Sequence, residues 1–135
     1  MNSLVLKLIT IFSLIKLIKN NEILITIKGI GTQKILSDYY KGVMPDQIIV
    51  NGENQSNTTK YIESLTQEIN NISLKWNNQI INNVSSMFRD LSNIIKFNFT
   101  NFDFSKIIDM SYMFYNCTSI TNIDLSNINT YIICN

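Results

Sequence analysis

Met87-Phe88 recurs as Met113-Phe114, 26 positions further along the chain, and the agreement extends well beyond that pair. The same offset sets Ile81 on Ile107, Ser85 on Ser111, Ile94 on Ile120 and Asn101 on Asn127. It also matches apolar to apolar at Val84/Met110, Leu91/Cys117, Phe97/Ile123, Phe99/Leu125 and Phe102/Ile128. A period in this range belongs to stacked repeats, in which each unit buries its apolar side against its neighbour.

Each unit changes periodicity half-way. Val84, Met87, Phe88 and Leu91 fall at i, i+3, i+4 and i+7, and so do Met110, Met113, Phe114 and Cys117. That spacing predicts one face of a short helix or 3-10 turn, with Asn83 and Asp109 as N-caps. The second half reads Ile94-x-x-Phe97-x-Phe99 and Ile120-x-x-Ile123-x-Leu125, the strand signature of leucine-rich repeats. Asn101 and Asn127 follow, where a polar ladder would satisfy the backbone. The expected fold class is α/β: a short leucine-rich-repeat solenoid, with a strand plus a short helix or 3-10 turn per repeat, preceded by a β-rich N-terminal cap. The expected domains are a signal peptide over 1–20, the cap over 21–78, and two repeats plus a truncated third over 79–135.

Residues 22–78 read as short strands between turns. Ile23, Ile25 and Ile27 alternate with Leu24, Thr26 and Lys28, and Ile72, Leu74 and Trp76 alternate with Ser73 and Lys75, as half-buried strands do. Asn51-Gly52 after Gln47–Val50 is a hairpin turn, because both positions accept positive φ. Gly29-x-Gly31 has Lys34 where a dinucleotide fingerprint needs its third glycine, so it reads as a turn rather than a phosphate loop. The 25 isoleucines, against no alanine, favour strands over long helices.

Residues 4–18 are a hydrophobic run interrupted by Lys7 and Lys16. The apolar stretch between the two lysines is too short to span a bilayer. It suits the core of a signal peptide with Lys7 on its basic side; the competing reading is an amphipathic or buried first segment. Asn-x-Ser/Thr sequons at Asn54, Asn57, Asn71, Asn83, Asn98 and Asn116 are candidate glycosylation sites for an exported chain.

The formal net charge is +1, and three of the lysines (Lys7, Lys16, Lys19) lie in the leader, so no basic face for nucleic acid remains. The chain has no histidine, which excludes Ser-His-Asp and Cys-His catalysis and His-ligated metals. Asp103, Asp109 and Asp124 each read as structural: a turn, a cap and an exposed strand position. Cys117 should point inward, and Cys134 stands 17 positions from it rather than one repeat, so a buried free thiol is preferred over a disulfide. No cofactor and no metal is expected, and the reading is non-enzymatic.

The stretch Ile108-Asp109-Met110-Ser111-Tyr112-Met113-Phe114-Tyr115-Asn116-Cys117-Thr118-Ser119-Ile120-Thr121-Asn122-Ile123-Asp124-Leu125-Ser126-Asn127 resembles the repeat of BspA-like leucine-rich-repeat surface proteins. It covers residues 107–127 closely and 81–106 less so, since Arg89-Asp90-Leu91 stands where that repeat places its cysteine region. The resemblance implies a secreted or cell-surface protein with an adhesive or ligand-binding role, its partner a protein or surface ligand. Membrane contact would come only through an uncleaved leader. In such a fold the outward strand residues Lys96, Asn98, Thr100, Asn122, Asp124 and Ser126 form the expected binding face. An uncapped last repeat would favour self-association. The alternative is an intracellular structural or interaction fragment with no dedicated ligand.

Overall fold

The computed structural model describes residues 21–126 together with Lys7 and Ile128. The expected leader therefore lies, Lys7 apart, outside the described residues, as do Asn127 and Cys134. Among the described residues no helix is long and apolar enough to cross a membrane.

The organising strand is β1 (Asn21–Lys28), whose β-branched alternation buries Ile23, Ile25 and Ile27 and turns Leu24, Thr26 and Lys28 outward. A turn at Gly29 and Gly31, which take φ of +133° and +69°, leads into β2 (Gly31–Lys34). Next come β3 (Gln47–Val50) and β4 (Glu53–Asn54), joined through Asn51 and Gly52 at φ +50° and +93°, the two left-handed positions of a tight hairpin turn. Then follow β5 (Tyr61–Leu65), β6 (Ile69–Trp76), β7 (Ile94–Asn98) and β8 (Asn122–Asp124).

Six of these strands make one sheet in the order β4-β3-β6-β1-β7-β8, and β2 pairs with β5 in a separate ribbon. β1 is antiparallel to β6 along its whole length, with Ile23 opposite Leu74 and Ile25 opposite Ile72. On its other side it is antiparallel to β7, with Leu24 opposite Asn98 and Thr26 opposite Lys96. Only β7 and β8 run parallel. One face of the sheet is buried by Ile48, Ile72, Leu74, Trp76 and Phe97 with the β1 isoleucines; loop residues Ile35, Leu36 and Tyr40 join the same core.

Buried polar groups in that loop are satisfied locally. Trp76 Nε1 and the Tyr40 hydroxyl both donate to the Val43 carbonyl, each at 2.8 Å. Burial pushes the Tyr40 phenol well above its ordinary range, so it remains a donor. Lys60 Nζ donates to the carbonyls of Ser37 (2.9 Å) and Tyr40 (2.8 Å), pinning the loop to the start of β5. Gly42 lets the loop pass close to the next segment: a Cβ there would meet the Asn83 carbonyl oxygen at 2.6 Å.

The α/β solenoid of strand-plus-helix repeats is not what this chain builds. Residues 21–126 are nearly all β, in one mixed sheet and one ribbon, and their one helical element is a 3-10 turn at Phe104–Lys106, outside both runs expected to be helical. Residues 84–91 and 110–117 are instead trains of tight turns. Met87 N–H bonds to Val84 C=O and Leu91 N–H to Phe88 C=O, and the second unit repeats this at Met113/Met110 and Cys117/Phe114. Ser86, Asp90, Tyr112 and Asn116, the third residues of these turns, have φ between +56° and +62°, where an α-helix cannot continue.

The amides a helix would use internally reach across to the next unit. Val84, Ser86, Phe88 and Asp90 N–H donate to the carbonyls of Asp109, Ser111, Met113 and Tyr115 at 2.8 to 3.1 Å. Turns four residues apart place the same i, i+3, i+4 and i+7 residues inward, so Val84, Met87, Phe88 and Leu91 are buried all the same. Asn83 and Asp109 accept from the amides two residues on, Ser85 (2.8 Å) and Ser111 (2.9 Å), and thus cap turns rather than helices. The Asn101 side-chain amide donates to Glu22 of β1 at 3.3 Å; Asn127, its expected partner in a ladder, lies outside the described residues.

Phe88 sits at the centre of this packing, its ring 4.8 Å from Phe97 and 6.3 Å from Phe114 between centroids. Phe88→Ala should cost about 3–5 kcal/mol, much of the stability of a domain this size, read as a lower urea midpoint. Glu22 supplies a pH dependence. Burial alone would raise its pKa, but hydrogen bonds from Ser73 and Asn101 and the charge of Lys75 outweigh it and hold the carboxyl below its ordinary 4.5. A depressed folded-state value stabilises above pH 4.5, and that contribution disappears as pH falls through the folded value. Glu22→Gln should therefore flatten the acid side of the stability profile below pH 5 and leave its alkaline side unchanged in shape, as followed by urea unfolding at stepped pH.

Candidate functional site

Among the described residues nothing covers the second face of the six-stranded sheet, which is built by alternation. Every strand residue next to a core side chain points away from the core, and cross-strand pairing sets these residues in rows. One row runs Ile49, Ser73, Leu24, Asn98, Asp124, and the next runs Asn71, Thr26, Lys96, Asn122. Leu24 is 38% exposed at the middle. Leu24, Thr26, Ile49, Asn71, Ser73, Lys96 and Asn98 line an open groove of about 330 Å³. Its floor is apolar and its walls carry amides, hydroxyls and one ammonium group.

The residues expected from sequence lie together on this surface. Lys96 and Asn98 on β7 stand opposite Asn122 and Asp124 on β8, with Thr100 and Ser126 exposed just beyond the strand ends. They do not all serve it equally. Asn98 Oδ1 accepts from the Thr100 amide at 2.9 Å, and Asp124 Oδ1 from the Ser126 amide at 3.0 Å, so both half-buried side chains fold back to close turns. Hydrogen bonds from Ser126 also hold the Asp124 carboxyl below its ordinary value. Lys96 and Asn122, both exposed, are the outward pair.

The other half of the groove went unrecognised in the sequence. Leu24, Thr26, Ile49, Asn71 and Ser73 come from segments read as a cap, although their alternation with buried neighbours is visible there. What the sequence lacked was the placement of β1 beside β7. Within the groove the Thr26 hydroxyl donates to Asn71 Oδ1 at 3.0 Å, and the Ser73 hydroxyl donates to Glu22 at 2.5 Å.

The sequons fall into different settings. Asn54, in β4, and Asn57, just after it, are exposed. Asn71 and Asn98 line the groove, where a glycan would cover it. Asn83 is engaged at both ends of its amide, accepting from Ser85 and donating to Asp109 at 3.3 Å, and Asn116 Nδ2 donates to Asp90 at 3.0 Å. The carboxylates of Asp103 and Asp109 close turns, accepting from the amides of Ser105 (3.0 Å) and Ser111 (2.9 Å). Among the described residues no three His, Cys, Asp or Glu side chains gather as metal ligands. Cys117 is half-buried and its thiol donates to the Phe88 carbonyl at 3.0 Å; burial raises its pKa.

A family model described as a Mycoplasma protein of unknown function, DUF285, matches residues 53–135, more than half of the chain. The chain belongs to this family. No curated protein and no solved structure matches it. The DUF285 match begins at β4 and takes in β5 to β8 with both turn trains. β1 and β3 lie before it, so the groove is walled partly by the DUF285 region and partly by strands that precede it. Replacing outward residues should separate contact from support. Lys96→Ala and Asn122→Ala should each change stability by less than about 0.5 kcal/mol. Asn98→Ala, which loses the bond to the Thr100 amide, should cost about 1 kcal/mol by urea unfolding.

Proposed function

We propose that this chain is a non-enzymatic binding module of a secreted or cell-surface protein, and that it engages a protein or surface ligand through the face of the six-stranded sheet opposite the core. The observation that carries the reading is the asymmetry of the sheet. One face is closed by the core, while the other presents a continuous row of outward residues over β3, β6, β1, β7 and β8. An apolar floor with amide and hydroxyl walls suits a broad, shallow contact, in which buried apolar area drives association and polar groups set orientation. Thr26 bonds Asn71 within the groove, Ser73 bonds Glu22 beside it and Asn98 closes a turn at Thr100, which holds these side chains in place for docking. The resemblance of residues 107–127 to BspA-like surface proteins, and the hydrophobic run over 4–18, support export.

Two measurements test this. Mass spectrometry of the full chain expressed in eukaryotic cells should find the first twenty or so residues removed and glycan on Asn54 or Asn57; an intact cytosolic chain would refute export. A photo-crosslinking residue at Lys96 should capture a partner from intact cells, and one at Lys106, away from the groove, should not. Capture at Lys106 alone would move the contact off the sheet.

A further inference from the structure

Arg89, the sole arginine of the chain, is ringed by three tyrosines drawn from two other segments. Its guanidinium carbon lies 4.3 Å from the centre of the Tyr39 ring, 5.0 Å from Tyr115 and 5.6 Å from Tyr112. Tyr112 and Tyr115 meet edge to face at 5.9 Å. Tyr39 comes from the loop after β2, Arg89 from the first turn train, and the other two from the second. The three rings remain 58%, 61% and 53% exposed in that order of Tyr39, Tyr112 and Tyr115.

Packing the arginine does not account for this arrangement. Tyrosine and arginine are the residues that protein interfaces concentrate at their energetic centres, and three large rings left together in water form an unfilled contact. Tyr112 adds a cost. Of the four turn positions with positive φ, three carry Ser, Asp or Asn, which tolerate it, but Tyr112 holds a bulky ring at φ +56°. The guanidinium is also under-used. Asp90 Oδ2 approaches Nε at 3.4 Å, yet Nε is buried without a hydrogen bond, and no acceptor among the described residues bonds the rest of the fork. The charge around Tyr39 leans positive: Lys34 and Lys60 contact its loop and Lys41 belongs to it, against Asp38 and Asp90.

We propose that this cluster docks a carboxylate-rich segment of a partner protein. Arg89 takes one carboxylate in its planar fork, held in place by the rings, while Tyr39, Tyr112 and Tyr115 cover the apolar stem of the acidic residue. The protruding rings, contributed by two separate segments, favour a protein surface over a small anion. The cluster uses no residue of the sheet groove, so its outcome is separate from that of the groove.

A sole arginine yields a single Nε–Hε resonance, which reads the site directly. In the ¹⁵N-labelled full chain at low salt, an acetylated oligoglutamate peptide should shift that resonance saturably, and an oligolysine peptide should not. Tyr112→Asn suits the left-handed φ and removes one ring; it should weaken the peptide by about tenfold while amide signals elsewhere stay in place. Arg89→Lys keeps the charge without the fork and should weaken binding by at least about as much, followed through the amides of the two turn trains. No shift with oligoglutamate, or equal binding by the Tyr112→Asn chain, would overturn the proposal. A saturable shift with oligogalacturonate at lower concentration than with oligoglutamate would overturn it in favour of an acidic sugar.

Discussion

Backbone hydrogen bonds from β1 to β6 on one side and to β7 on the other tie residues 21–28 to residues 69–76 and 94–98, and the rest of the sheet is placed from that strand. A strand with both edges satisfied must be buried on at least one face to repay its ordering, and Ile23, Ile25 and Ile27 provide that face. β3 and β4 extend the sheet beyond β6, and β8 extends it beyond β7. The first strand of the described chain is thus central in space. Residues before and after the mid-point share one core because the hydrogen-bonding capacity of β1 is divided between them.

The second constraint is the parallel contact between the two turn trains. Amides from one train find carbonyls on the next, and side chains repeat the offset: Ser85 meets Ser111 at 3.0 Å and Asn116 meets Asp90 at 3.0 Å. This ladder keeps β7 and β8 in register, Phe97 beside Ile123, and so keeps Lys96 next to Asn122 on the open face. The same ladder brings Tyr112 and Tyr115 beneath Arg89. The ladder therefore sets Asn122 beside Lys96 at the edge of the groove and places two of the three rings of the aromatic cluster.

Much of this was legible in the residues. The alternation in Asn21–Lys28 and Ile69–Trp76, the Asn51-Gly52 turn and the 26-residue offset depend on local chemistry or on direct self-comparison, and each corresponds to something the structure contains. The helices were misread for a specific reason. An apolar residue at i, i+3, i+4 and i+7 satisfies a helix of 3.6 residues per turn and a train of four-residue turns alike. Only the left-handed φ values at Ser86, Asp90, Tyr112 and Asn116 distinguish them, and three of these are residue types equally at home in loops.

By itself the sequence determined the buried alternation in Ile23–Ile27 and Ile72–Trp76, the turn at Asn51-Gly52, and the interval at which the chain matches itself, because these follow from side-chain polarity and backbone preference within a few residues or from self-comparison. Tertiary structure alone decided that the amides of residues 84–90 go to a neighbouring unit, that β1 lies between β6 and β7, and that three tyrosines close on Arg89. Those outcomes depend on which distant segment offers the better set of acceptors and apolar partners. That is a competition among non-local contacts, and no local pattern records its result.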